Sequence, residues 1–195
     1  MKLRTVRVLA ICGTMVLLAS VPGTAGARSA TGRHCAVRLE PTSYPKPNVI
    51  LARAVRVGCY DTLSEAVEAG SGGAIRLPRN TTPQELTDEL IARSTVTARI
   101  GGGTTLIGTE WMGLSYSGGS RSWYAPDACI GNTWETDYVG DSWNDVFDSG
   151  KGFGGCDTNK KFVHANFGGD VLTCTPNCAD YGALQNEVSS LRWKP

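Results

Sequence analysis

Asn144, Asp145, Val146, Phe147, Asp148 and Ser149 follow directly on Trp143. An amide and a carboxylate stand side by side, with a second carboxylate and a hydroxyl three positions further on. These are hard oxygen donors in a short segment, and calcium takes about six to eight such oxygens. An Asx turn at Asn144 would place the same residue types there, so this stretch alone does not decide the chemistry. A second stretch, beginning at Gln185 and running through Asn186, Glu187, Val188, Ser189 and Ser190, repeats the pattern.

Each oxygen-rich stretch is preceded by a second repeat. Trp111 stands five positions before Tyr116-Ser117-Gly118, and Phe162 five positions before Phe167-Gly168-Gly169. Two aromatics at this spacing need a strand that folds over so that one ring covers the other. The glycine then takes a backbone angle that side chains disfavour. Aromatic-glycine pairs occur in many hairpins, but two copies in register with two oxygen-rich loops read as an internal repeat.

On these residues the chain resembles βγ-crystallin Greek-key motifs, where an aromatic corner precedes (Asn/Asp)-(Asn/Asp)-x-x-(Ser/Thr)-Ser. The resemblance spans 106–193, and it is nearest to secreted bacterial members of that family. Among these are small metalloproteinase inhibitors and killer-toxin-like proteins. Asp148 departs from the pattern where Ser or Thr is usual, and Gln185 where Asn or Asp is usual. The resemblance implies two Greek keys packed as a sandwich and up to two weakly held calcium ions. Asn144, Asp145 and Asp148 would serve with the carbonyl of Val146, and Ser149 completes that motif. Gln185, Asn186 and Ser189 would serve with the carbonyl of Glu187. Asp145, Asp148 and Glu187 are expected to lie close enough to repel one another without a cation.

Residues 1–27 read as a secretory signal peptide. Lys2, Arg4 and Arg7 precede an apolar run from Val8 to Ala19, and Ala25-Gly26-Ala27 fits a small-residue cleavage site. Cys12 would leave with it. The remaining cysteines are Cys35, Cys59, Cys129, Cys156, Cys174 and Cys178. An even number in an exported chain implies disulfides. Six cysteines allow about 15 pairings, and proximity favours Cys35–Cys59, Cys129–Cys156 and Cys174–Cys178. A zinc site at Cys174 and Cys178 lacks a second pair of ligands.

Charge divides the chain at Gly101-Gly102-Gly103, a flexible linker. Residues 28–103 carry ten basic and seven acidic side chains, whereas 104–195 carry six basic and eleven acidic. The acidic half suits a cation and disfavours a nucleic-acid partner. In the region 28–100, a small α+β region that could be a prosegment, Ala36-Val37-Arg38-Leu39, Ala54-Val55-Arg56-Val57 and Ala74-Ile75-Arg76-Leu77 are similar. They predict three strands with the aliphatic residues on one face and the arginines on the other. Thr62 with Glu65 predicts a helix through Ala69. Thr82-Pro83-Gln84-Glu85 predicts another, through about Arg93. The half 104–195 reads as β-rich, with its five tryptophans as core.

Catalytic residues are scarce. The two histidines are His34 and His164, and His164 falls inside the second aromatic corner. Gly113-Leu114-Ser115-Tyr116-Ser117 lacks the final glycine of a nucleophile elbow. The acidic stretch offers no spacing that singles out a carboxylate pair for glycoside hydrolysis. The sequence thus predicts a mainly β, exported, monomeric and non-enzymatic protein. Its expected partners are calcium and, through the family resemblance, an extracellular protease or a cell-surface target. No membrane role is expected after signal removal. Thiol labelling of the denatured, unreduced, exported protein should find three disulfides and no free thiol. Labelling above a trace would overturn that expectation.

Overall fold

The structure is a computed structural model, and it describes residues 33–96 and 104–195. The signal peptide at 1–27, Cys12 and the linker at 101–103 lie outside the described residues. The described residues open with a long hairpin, β1 (His34–Lys46) and β2 (Val49–Tyr60), followed by helices α1 (Leu63–Gly70) and α2 (Asp88–Ser94). Then come β3 (Thr105–Gly113), β4 (Ser117–Ala125), β5 (Thr133–Thr136) and β6 (Ser149–Gly152). The chain closes with β7 (Thr158–His164), β8 (Gly168–Cys174) and β9 (Ser190–Lys194).

All nine strands form one sheet in the order β6-β3-β4-β1-β2-β5-β9-β7-β8. Trp123 on β4 and Trp193 on β9 are four places apart in this order, which in a flat sheet means about 19 Å. Their ring centroids lie 5.3 Å apart, so the sheet folds back on itself. The two ends therefore face each other as a sandwich. Each Greek key lends a piece to the other side. β5, from the first, pairs with β9 of the second, and Cys178, from the second, bridges Gly150 on β6 of the first.

The N-terminal hairpin occupies the bend. β1 pairs in parallel with β4, His34–Arg38 against Ser120–Tyr124, and β2 in parallel with β5, Val49–Leu51 against Thr133–Glu135. Val37, Leu39, Ile50 and Ala52 enter the same core as Trp123, Trp134 and Trp193. The N-terminal region thus contributes β1 and β2 to the middle of the sheet. Cys35 faces Cys59 across the hairpin, and all three expected disulfides are formed.

Two expectations for this region are corrected. An extra residue in β2 makes a bulge beside Ala36 and Val37, so Arg38 lies opposite Val55 but Val37 opposite Arg56. The bulge flips the alternation. Val37 and Leu39 enter the sandwich, while Val57, Ile75 and Leu77 pack on the helical side with Leu63, Val67 and Tyr124. The third expected strand is absent as a strand: Ile75 makes a single bridge to Thr95.

The predicted cap of the first helix forms as a reciprocal box between Thr62 and Glu65. The second start forms its cap too, with Thr82 and Glu85 bonded to each other. The helix does not propagate from there, and α2 begins later on a new cap, Thr87. Lys151 supplies the reason. Its Nζ donates to the carbonyls of Pro83 (2.7 Å), Gln84 (3.2 Å) and Leu86 (3.0 Å). A continuous helix would need the first two for its own N–H groups. Gln84 also donates to Ser115 O, and Asp88 accepts from the Gly154 N–H. The helical segment is thereby latched to the first Greek key.

Inside the sandwich, Glu110 of β3 pairs with Lys161 of β7 at 2.6 Å, both side chains fully buried, and Tyr181 donates to the same carboxylate. Burial pulls the Lys161 ammonium below its ordinary pKa, and Glu110 works against that shift. Burial and the Glu110 charge hold the Tyr181 hydroxyl protonated well above its usual range. Gly150 leaves room for the network, since a Cβ there would collide with the Glu110 carboxylate and the Tyr181 hydroxyl. Removing one member of a buried pair strands the other charge, at a cost of about 3–5 kcal/mol. Lys161→Met should therefore lower stability by about that amount in urea denaturation, and adding Glu110→Leu should recover part of the loss. A wild-type midpoint for Lys161→Met would show that the pair contributes nothing.

Candidate metal centre

Both aromatic corners form. Trp111 and Tyr116 meet edge-on at 5.3 Å, and Phe162 and Phe167 at 5.5 Å. Gly118 and Gly169 take positive φ (78° and 74°) as the sequence requires. The turns also hold non-glycine residues in the left-handed region, namely Ser115, Tyr116, Asn166 and Phe167. A serine hydroxyl ties each corner. Ser149 Oγ donates to Gly113 O and accepts from the Tyr116 N–H. Ser190 Oγ donates to His164 O and accepts from the Phe167 N–H. Ser149, predicted as the end of a metal motif, is therefore a buried tie whose hydroxyl is already engaged.

The two oxygen-rich loops repeat each other residue by residue. A short 3-10 turn, Asp141–Trp143 or Gly182–Leu184, leads to an extended residue, Asn144 or Gln185. Asp145 and Asn186 follow with φ of 58° and 55°, a conformation that Asn and Asp tolerate better than most residues. The loops then bond to one another reciprocally, Asp145 N–H to Val188 O (3.2 Å) and Asn186 N–H to Phe147 O (3.1 Å). These bonds leave out the carbonyls of Val146 and Glu187, the two predicted to face an ion. Asp148 N–H and Ser189 N–H bond to the carbonyls of Trp111 and Phe162, the first ring of each corner. The corners thus set the height of the loops.

Side-chain contacts cross between the loops. Ser189 Oγ lies 3.4 Å from Asp145 Oδ1, and its stronger bond is to Val163 O at 2.6 Å. Burial raises the Asp148 pKa, the Asn186 N–H opposes the rise, and the charge of Asp180 adds to it. Asp180 was not singled out from the sequence. It accepts from the Gly182 N–H and from Gln185 Nε2, both at 2.6 Å, and these bonds hold its pKa down. Its signal in the sequence was only an acid five residues before Gln185. Gln185 is thus oriented by Asp180, with its amide nitrogen committed and its amide oxygen remaining.

The expected cluster of Asp145, Asp148 and Glu187 is corrected. Among the described residues no three His, Cys, Asp or Glu side chains gather into a group able to hold a metal ion. The carboxylate that acts on Asp148 is Asp180 instead. Any ion here must draw on amide, hydroxyl and carbonyl oxygens, which are ligands that calcium accepts. The first loop offers free oxygens for such ions. Asn144 Oδ1 and Asp148 Oδ1 are buried and accept no hydrogen bond, and buried acceptors are normally paired.

The repeated corners, the paired loops and the exchanged third segments make one pattern. The fold of this half is βγ-crystallin-like. Solved structures similar to the chain include a βγ-crystallin from an archaeon (19% identity, 46% of this chain and 98% of that one, TM-score 0.34). The N-terminal domain of protein S is similar at 20% identity, over 45% of this chain and 93% of its own, with a TM-score of 0.33. A double mutant of a βγ-crystallin domain from Clostridium beijerinckii is similar at 20% identity, over 46% and 98%, with a TM-score of 0.35. No protein-family model and no curated protein matches the chain.

One unforeseen juxtaposition lies outside the βγ-crystallin-like loops. His34 Nδ1 is 2.8 Å from Ser120 Oγ. Burial, then the charge of Arg33, lowers the His34 pKa. Ser120 is fully buried, and the imidazole's polar neighbour joins β1 to β4. This pair is a tie between parallel strands.

The raised pKa of Asp148 has a definite sign. A carboxyl whose folded pKa is raised favours the folded state below its unfolded pKa of about 3.8–3.9, and that contribution is lost as pH rises through the folded value. At neutral pH without metal, the Asp148 charge therefore works against folding. Asp148→Asn should melt at or above the wild-type temperature at pH 7 in chelator, and the difference should shrink toward pH 3. A lower melting point at pH 7 in chelator would overturn this reading.

Proposed function

We propose that the βγ-crystallin-like half binds calcium through its paired loops, in an exported, non-enzymatic protein. The observation that carries this is the pair of buried, unpartnered oxygens on Asn144 and Asp148. A bound cation supplies positive charge to oxygens that no N–H or O–H reaches.

The cross-loop contacts divide the ligands. Asp148 works with Gln185, Asn186 and the carbonyl of Glu187, because Asn186 is the residue against it. Ser189 works with Asn144, Asp145 and the carbonyl of Val146, because Ser189 touches Asp145. Each site so divided carries one carboxylate, Asp148 in the first and Asp145 in the second. Asp180 holds the Gln185 amide in place. Three disulfides suit an oxidising compartment. Among the described residues no helix is long and apolar enough to cross a membrane. The family resemblance also reaches protease inhibitors and toxins, but no residue arrangement favours either target over calcium.

Extracellular calcium modules bind at about 10⁻⁴ to 10⁻³ M. At 100 times the dissociation constant, binding stabilises the fold by about 2.7 kcal/mol per site. For a chain of this size that is roughly 5–10 °C of melting temperature. Scanning calorimetry should show the rise in excess calcium and its reversal by chelator, with Asp148→Ala losing more of it than Gln185→Ala. Identical melting in calcium and in chelator, with no heat of binding, would reduce the loops to structural turns.

A further inference from the structure

The outward face of the sheet, where β1 and β2 meet β5 and β9, carries an arrangement that calcium binding does not use. Register places Lys46 opposite Val49 and Val49 opposite Thr133. Trp134 faces Trp193, so Lys194 continues the same row. In the next row stand Leu51, Glu135 and Arg192. The alternate residues Ile50, Trp134 and Trp193 point into the core, which turns these two rows outward. α1 packs on the other end of the sheet, with Leu63 and Val67 against Leu106 and Tyr124, away from these two rows.

Between the hairpin tip and β9 the rows enclose a groove of about 460 Å³, with Pro45 and Phe167 also in its lining. Ligand pockets commonly span about 300–1,000 Å³. Its floor is apolar, formed by Val49, Leu51 and Phe167. Its charge is unbalanced. The one acid in the lining, Glu135, is bonded to Arg192, whose guanidinium also lies over the rings of Phe162 and Phe167. Lys46 and Lys194 also line the groove, and among the described residues neither forms an ion pair. Two unbalanced cations thus flank an apolar floor, Lys46 from the N-terminal hairpin and Lys194 from a half whose acidic side chains outnumber its basic ones eleven to six. The groove exists because β2 docks on β5, bringing residues 46 and 194 to opposite ends of one row.

We infer that this groove binds a small amphiphilic anion, with its acidic headgroup at the rim lysines Lys46 and Lys194 and its apolar body over Val49, Leu51 and Phe167. Neither part of the groove would retain a ligand well alone. The lysines are solvated and screened by salt, and the apolar floor does not discriminate among hydrocarbons. Together they select a molecule that joins one negative charge to a short hydrophobic body.

The test uses the full chain in chelator, which separates it from the calcium reading. The probe is 8-anilinonaphthalene-1-sulfonate, an aromatic body with one sulfonate, followed by fluorescence, with dodecanoate as competitor. Saturable one-to-one binding, displaced by dodecanoate and weakened by salt, is the expected result. Each lysine contributes a charge-assisted contact, so Lys46→Ala should weaken binding by about tenfold and Lys46→Ala with Lys194→Ala by more. Leu51→Ala should weaken it as well, through the floor. Melting curves and near-ultraviolet dichroism of each variant check that the fold is intact. Should the double variant melt early, Lys46→Ala at the exposed hairpin tip carries the test alone. Three results would overturn the inference: no saturable binding, wild-type affinity in the lysine variants, or equal binding of the uncharged N-phenyl-1-naphthylamine. The last would mark an unselective apolar patch.

Discussion

Parallel pairing of the N-terminal hairpin with two strands far away in the chain is the constraint on which the rest depends. A pair of Greek keys by itself leaves β4 at the edge of one sheet and β5 at the edge of the other. Each would present unpaired backbone groups to water. β1 satisfies one edge and β2 the other, so two sheets become one that bends through the hairpin. The apolar residues of β1 and β2 enter the sandwich core from that bend. The disulfide between Cys35 and Cys59 closes the open end of the hairpin next to its pairing with β4. Removing the hairpin would expose two edges and open the side of the core at once.

A second device acts across the sandwich rather than around it. Most of the core is aliphatic or aromatic, with Trp111, Trp123, Trp134 and Trp193 fully buried. Such packing is tolerant of small slips. The pairing of Glu110 with Lys161, with Tyr181 as third member, is not tolerant, because a buried charge without its partner is costly. One acid on β3 and one amine on β7 therefore fix how the two Greek keys face each other. Tyr181 stands next to Asp180, the residue that holds Gln185. The same few residues thus connect the interior to the candidate metal loops.

What could be read in the sequence was local. Thr62 with Glu65, the two aromatic corners, the adjacent oxygen-rich loops and the short-range cysteine pairs all depend on residues near one another in the chain. They appear in the structure as expected. The hairpin's place in the sheet was not legible, since parallel pairing with β4 and β5 joins segments some 80 residues apart and leaves no local signature. Alternation in the three similar tetrapeptides failed for a related reason. A single bulge residue reverses the faces, and nothing in Val55-Arg56-Val57 announces it. The second helix started late because Lys151, distant in sequence, takes the carbonyls that its first turn needed. Within the candidate site, backbone shape was legible and side-chain partnership was not. Asn and Asp at the left-handed positions follow from the sequence pattern, whereas the grip of Asp180 on Gln185 is a matter of tertiary placement.

The order of strands also governs how copies of this protein could meet. With β4 and β5 sealed, the sheet ends at β6 and β8. β6 has only four residues, and Cys178 bridges it. β8 is therefore the long open edge, seven residues with Asp170 and Val171 exposed and β7 as its neighbour on one side. An open edge is a template for another strand. Growth of a fibril needs two such edges on every molecule, one to receive and one to offer. Among the described residues only one long edge is open, so strand addition to a second copy would leave no comparable edge to extend. The hairpin, by taking both edges at the bend, makes the fold poor material for indefinite assembly.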